Sequence, residues 1–467
     1  MSNVLEQLES RILQAVSQIA DAKEEGVQQL LSRQVSVEPT DSLWSLFNAI
    51  QHVAVVDGDG NGDGNGEENG DGTVVPEEFK LVIDTRQKDT GLSGTSTLFI
   101  IPTGNTGAYD WSIDWGDSQT EKASGTGSNS SVGVSHTYAT AGQYTITITP
   151  NGSIDAWFAA YGFGTSSIIG TAHEGANRQK VVSCLSQITP LMVGTEEQVT
   201  SGTLGNNVCQ RWFDRCTGKG FNLGNEFGFS QEWKGITTVG NNFCSIMFSD
   251  CHSLTALSAN LSLPQNITTV GDYFCYQMFY NCSFLTALSA NFNLPQKITT
   301  VGTYFCDNMF KGCAALATLS DNFNLPQSLT TVMNYFCSDM FNGCTLLGVL
   351  PNSFNLPQNL ITVGTNFCWQ MFYLCTNDDF KVPAGFKFPQ GLLQTEVDKG
   401  GVFTYMFHVT TNKTWQLAGD AAAIVGSLPV PVSSRLTFRT GSYAGNSDTY
   451  GPSRWGAGFT GLHANWK

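Results

Sequence analysis

A pair of cysteines spaced C-x6-C occurs five times between Cys244 and Cys375, at a constant period of 31 residues. The first members are Cys244, Cys275, Cys306, Cys337 and Cys368, and the second are Cys251, Cys282, Cys313, Cys344 and Cys375. A fixed period in this range is the mark of stacked repeats, each of which contacts only its neighbours and adds to one extended surface. Binding is therefore the first expectation for the chain, ahead of catalysis.

Ile267 to Gln296 shows the unit: I-T-T-V-G-x-x-F-C-x-x-M-F-x-x-C-x-x-L-x-x-L-x-x-N-F-N-L-P-Q. With the first cysteine at position 0, Phe274, Cys275, Met278, Phe279 and Cys282 fall at −1, 0, +3, +4 and +7. That spacing predicts a helix with one apolar stripe. Leu285 to Leu288 alternates like a short strand, and Asn291 to Gln296 reads as a turn. Two diverged copies flank the array: Cys209 to Cys216, with Trp212 in the methionine position, and Phe403 to Thr410, which keeps Met406 and Phe407 without the cysteines.

On the helical reading, a C-x6-C pair rises about 10.5 Å, beyond the roughly 7 Å a disulfide allows between Cα atoms. Helices pack about 8–10 Å apart, which argues against bridges between repeats as well. Zinc-type close spacings are absent. The expectation is buried free thiols acting as small apolar side chains, and a reducing compartment for folding.

The repeat string resembles the BspA-like leucine-rich repeats of bacterial surface proteins and of some phage and prophage proteins, over about residues 200 to 410. That resemblance implies an α/β leucine-rich-repeat solenoid used for adhesion, and it brings no catalytic residues. Upstream, Thr97 to Ile101 and Tyr144 to Ile148 are strand-like within a segment rich in turn signals. Trp115-Gly116-Asp117, Ser135-His136-Thr137-Tyr138 and Ala141-Gly142-Gln143-Tyr144 resemble the signature of the PKD domain, with Ser118 where that family often has glycine. This implies an immunoglobulin-like β-sandwich serving as a spacer or binding module, with His136 in a structural role.

Residues 1 to 34 carry Leu5, Leu8, Ile12, Ala15, Ile19 and Ala22 in a heptad stripe, followed by a second amphipathic segment with Leu43, Phe47 and Ile50. The stripe either assembles a homo-oligomer, a trimer being favoured, docks on another protein, or closes a small helical domain. The phrase from Val35 to Ile50 resembles N-terminal segments of phage structural proteins. Asp57 to Gly72 is an acidic, glycine-rich spacer. Within it Asp57, Asp59, Asn61, Asp63, Asn65 and Glu68 fit a calcium-loop spacing, so Ca2+ is a candidate ligand there.

The expected organisation is multidomain: an N-terminal α-helical or coiled-coil region (1–54), an acidic linker (55–76), the PKD-like β-sandwich (77–150), the leucine-rich-repeat solenoid with divergent caps (151–411), and a C-terminal β or loop cap or tip (412–467). The last segment carries Tyr443, Tyr450, Trp455, Phe459 and Trp466.

A net charge of −16 with no basic patch argues against nucleic acid. The chain contains neither a secretion-type leader nor a run of about 18 apolar residues, so membrane insertion is not expected. H-E-x-x-H, G-x-S-x-G and P-loop motifs are missing, and His173-Glu174 is the only adjacent acid and base, so an enzyme is not expected.

A partner would meet positions −2, +1 and +5, opposite the cysteine stripe, where Tyr273, Tyr276, Tyr280, Tyr304, Tyr335, Trp369 and Tyr373 stand. Rows of amphipathic aromatics suit glycan or protein surfaces, although packing between repeats or subunits would also occupy them. The functional expectation is a non-enzymatic virion surface fibre or decoration protein. It would be held to a virion or surface scaffold by its N-terminus and would bind a host-surface glycan or protein through the repeats. The alternatives are a bacterial cell-surface or secreted adhesin and a glycan-active enzyme.

Overall fold

The computed structural model describes residues 78–87, 97–101, 108–126, 133–151, 178–187, 202–229, 233, 235–377, 379–380, 391–397 and 399–402, positions 383, 386, 389 and 406, and the strand pairs 68–69 and 73–74. Two compact units divide the chain, Met1–Val75 and Pro76–Lys467. In the first, β1 (Glu68–Asn69) pairs antiparallel with β2 (Thr73–Val74). The helices expected over 1–54, the calcium-loop positions Asp57 to Asn65, and the C-terminal segment 412–467 lie outside the described residues.

The second unit opens with a six-stranded sheet. Its members are β3 (Phe79–Asp84), β5 (Ala108–Asp114), β6 (Thr120–Thr126), β8 (Gln143–Pro150), β9 (Val181–Cys184) and β11 (Asn222–Leu223), in the order β11-β9-β3-β8-β5-β6. Phe79, Leu81 and Ile83 alternate along β3 and are fully buried, as are Ile146 and Ile148 on β8, the period-2 pattern of a sheet packed on a core. A second sheet pairs β4 (Leu98–Ile101) with β7 (Val134–Thr137), antiparallel. Aromatic contacts join the two sheets: His136 of β7 stacks on Trp115 at 4.8 Å, and Tyr138 stacks on Tyr144 at 4.0 Å.

His136 also bonds Asp117 Oδ2 through Nε2 at 2.8 Å, and the Tyr138 hydroxyl donates to the Trp115 carbonyl at 2.9 Å. Ser118 lies in the left-handed region at φ 71°, so it adopts the geometry for which glycine is suited.

The repeats depart from the α/β leucine-rich-repeat fold expected of them. Among the described residues the only helix is α1 (Gln394–Val397), and the C-x6-C segments are successions of turns. The residues at −1, 0, +3, +4 and +7 are buried as the apolar stripe requires, but by a different backbone. In a helix each N–H reaches back four residues. Here the N–H groups at −2, +2, +4 and +6 reach into the next coil: Tyr273 to Thr303, Gln277 to Asp307, Phe279 to Met309 and Asn281 to Lys311, at 2.7–3.1 Å. Positive φ recurs along the same segment, at Tyr273, Cys275, Gln277 and Asn281. A helix cannot contain these angles, and packing between coils overrides the helical periodicity.

Regular pairing along the stack is correspondingly short. β10 (Thr203–Leu204), β12 (Thr238–Val239) and β13 (Thr269–Val270) form a parallel ladder, with single bridges such as Thr269 to Thr300 and Ala287 to Thr318 beyond it. The Leu285–Leu288 strand thus reduces to one bridging residue, Ala287. The parallel β9–β11 pair joins the six-stranded sheet to the first coil.

Coils lie at strand spacing, well inside the 8–10 Å of packed helices. Phe248, Phe279, Phe310, Phe341 and Phe372 stack in one column with centroids 5.4–5.5 Å apart. All thirteen cysteines are free and buried, but the expected reason, helix separation, does not hold. Equivalent thiols of neighbouring coils adjoin, Cys337 and Cys368 having their Sγ atoms 3.2 Å apart. The second cysteines have a specific task. Cys282, Cys313, Cys344 and Cys375 each donate S–H to the carbonyl of the phenylalanine 34 residues earlier, at 3.0–3.2 Å.

Glycine at position −4 is explained by the adjoining coil. A Cβ on Gly302 would lie 2.4 Å from Asp272 Oδ1, and one on Gly271 2.3 Å from Asn241 Oδ1. Those oxygens accept the amides of Thr303 and Asp272.

Candidate functional site

The candidate face is built on position −2, which reads Asn207, Asn242, Tyr273, Tyr304, Tyr335 and Asn366 from the first diverged coil onward. All six have positive φ, between 55° and 65°. Asparagine tolerates this region because its side chain bonds locally, whereas a side chain such as tyrosine costs about 1–2 kcal/mol there. The three tyrosines nevertheless stack, Tyr273 on Tyr304 at 4.8 Å and Tyr304 on Tyr335 at 4.6 Å, within 7° of parallel. An aromatic contact contributes about 0.5–1.5 kcal/mol, so stacking at best offsets the backbone strain.

Tyr276, at +1, stands edge-on to both Tyr273 and Tyr304, at 5.4 and 6.0 Å. Burial, then the charge of Asp307 and the neighbouring hydroxyls of Tyr273, Tyr304 and Tyr280, push its pKa up to about 12. Positions −2, +1 and +5 thus meet at this end of the array, although the helical argument that placed them together fails. Tyr280, Trp369 and Tyr373 are half-buried in the same columns, Trp369 and Tyr373 three coils further along.

Between these aromatic ends the columns turn polar. Position +1 reads Tyr276, Asp307, Ser338 and Trp369, and position +5 reads Tyr280, Lys311, Asn342 and Tyr373. Asp307 is 4% exposed, and its Oδ1 has no hydrogen-bond partner. Its Oδ2 accepts from the Asn308 amide. Burial and then Asp339 raise its pKa to about 7, against the Asn308 hydrogen bond and the charge of Lys311. Asp339 is 2% exposed and takes the Lys311 ammonium at 3.0 Å together with the Asn342 amide.

Sequence reasoning missed this cluster because it looked for aromatics in each column. The signal was the interruption itself, Asp307 with Lys311 and Ser338 with Asn342, flanked by Tyr276 with Tyr280 and Trp369 with Tyr373.

The two carboxylates could prompt a hydrolytic reading, since glycosidases work with a pair of them. Both are buried beneath the surface, and Asp339 is also engaged by Lys311 and Asn342. The thiols are buried as well, and burial raises the Cys282 and Cys313 pKa values well above the ordinary range.

Of the six calcium-loop positions, Glu68 falls in β1 and the others lie outside the described residues. Among the described residues no group of three or more His, Cys, Asp or Glu side chains could hold a metal ion, and no helix is long and apolar enough to cross a membrane. No protein-family model, curated protein or solved structure matches the chain.

Proposed function

We propose that the chain is a non-enzymatic surface-binding protein, a fibre or decoration protein of a virion that presents its repeat face to a host-surface ligand. One observation carries the reading. In the coils the thiols and the Asp307 and Asp339 carboxyl groups are buried, while half-buried tyrosines repeat in register at position −2, with aromatics of positions +1 and +5 at two coils of the array. Such an array offers area and pattern to a partner and no reactive centre.

Binding of the fluorescently labelled full chain to intact bacterial cells tests it. Saturable binding competed by unlabelled chain is expected, and cells of a susceptible strain that take up no label would sink the proposal. Immunogold labelling of particles distinguishes the virion protein from the alternative, a bacterial cell-surface or secreted adhesin, for which gold would decorate cells.

Self-association belongs to the same proposal. Residues 1–73 are expected to hold the chain as a homo-oligomer, a trimer being favoured, so the full chain should have a multiple of the native mass per chain of a form beginning at Val74. Equal masses per chain would remove the N-terminus as an assembly device.

A further inference from the structure

Three features of the tyrosine column need a common cause. The first is its cost to the fold. The same turn is made by Asn207, Asn242 and Asn366, so Tyr273, Tyr304 and Tyr335 place rings where the backbone favours asparagine. The turn itself belongs to every coil, since buried Cys244 and Cys275 also have positive φ, and what sets this column apart is tyrosine in place of asparagine.

The second feature is periodicity. The three rings repeat at 4.6–4.8 Å along the stack, each with a hydroxyl at its tip, and Tyr276 lies across the first two. A row of identical amphipathic groups at one short spacing complements a polymer with a short repeating unit. An extended glycan is such a polymer. Its pyranose advance is comparable to this spacing, and its hydroxyls pair with phenols, the groups the row offers because its ring faces are stacked on one another.

Charge is the third. Asp307 adjoins Tyr276 and Tyr304, the Lys311 ammonium is engaged by Asp339, and the chain carries a net charge of −16. A polyanion would meet repulsion on approach.

We propose that Tyr273, Tyr304 and Tyr335, with Tyr276 beside them, bind an extended neutral polysaccharide running along the axis of the coils. The proposal rests on the surface-binding reading and adds the chemical class of the ligand.

The decisive variant is Tyr304→Asn, which installs the residue that the column already uses at three other coils. The full chain and this variant would be compared by thermal unfolding and by electrophoresis through gels containing xyloglucan, mixed-linkage β-glucan, mannan or galactomannan, with alginate as the anionic control. The expected result is an unfolding midpoint unchanged or raised in Tyr304→Asn, retardation of the full chain by at least one neutral glycan, and at least tenfold weaker retardation of the variant.

A lowered midpoint would make the column a packing device and overturn the proposal, as would retardation by alginate alone or by none of the four neutral glycans. Concentration-dependent self-association that Tyr304→Asn abolishes would assign the face to a second copy, also overturning it. If the full chain binds intact cells yet ignores every neutral glycan, only this inference fails. If it binds neither, the surface-binding reading fails with it.

Discussion

The six-stranded sheet and the stacked coils both bury aromatic clusters, but they assemble them by opposite rules. In the sheet region Trp115, His136, Tyr138 and Tyr144 form one cluster from unlike residues, each contact occurring once. In the coils Phe279, Phe310 and Phe341 stack on their equivalents above and below, within 6° of parallel, and their edge-on contacts to a second phenylalanine column recur from coil to coil. A sheet residue is constrained by whatever faces it, whereas a coil residue is constrained by its own column. A departure from the column is therefore informative, and Asp307 among aromatics is the clearest one.

The most severe test of this contrast is Phe310→Ala. Phe310 stacks between Phe279 and Phe341 and meets Phe292 and Phe323 edge-on. Truncation is expected to cost about 3–5 kcal/mol in denaturant unfolding, and limited proteolysis should cut within neighbouring coils because stability passes between nearest neighbours. Protection of the adjacent coils equal to that of the wild type would break the comparison.

A smaller effect is expected at two glycines that fill the same need in the two regions. Gly302→Ala meets Asp272 in the adjoining coil, and Gly116→Ala, at φ 78°, meets the Thr145 carbonyl at 2.4 Å. Each should lose about 1–3 kcal/mol, and differential scanning calorimetry would show whether the loss stays within its own region.

Asp307 gives a pH dependence. Its folded pKa of about 7 lies above an unfolded value of about 3.9. Between these values the folded chain retains a proton that the unfolded chain has released, so this group makes stability fall as pH rises from about 4 to 7. Asp307→Asn should flatten that part of the unfolding-midpoint profile by a few degrees, and a profile parallel to the wild type would remove Asp307 as the cause.

The mildest change sharpens the contrast from the sheet side. Ser118→Gly relieves a positive φ and should stabilise the sheet region by about 0.5–1 kcal/mol without moving the unfolding of the coils. A calorimetric midpoint that falls would place the serine hydroxyl in an essential contact.

Much of the burial pattern was legible, because period and polarity alone select which residues face inward. Phe274, Cys275, Met278, Phe279 and Cys282 are all fully buried. Their conformation was not legible from that pattern, since apolar residues at 0, +3, +4 and +7 suit either a helix or a coil of turns. The deciding signals were glycine at −4, asparagine at −2 in Asn242 and Asn366, and Asp250, Asn281, Gly312 and Gly343 at +6, residues suited to left-handed turns and poor in a helix interior.

Met333 shows how the columns constrain each other. It stands in the glycine column, and the preceding coil there offers Thr303, whose hydroxyl turns back to Asp272 at 3.0 Å. Of the candidate site, the aromatics were visible as single letters. The backbone strain and the buried Asp307 required coordinates, because both depend on the coil above and the coil below.

The amides at −2, +2, +4 and +6 all point toward the next coil, from Asn207 bonding Asn241 at one end to Phe372 bonding Met406 at the other. Amides elsewhere in the same coils point the other way, such as Thr268 to Thr237 and Ala317 to Thr286. Each face of a coil therefore carries donors and acceptors together, and adding or removing one whole 31-residue unit would leave both faces matched.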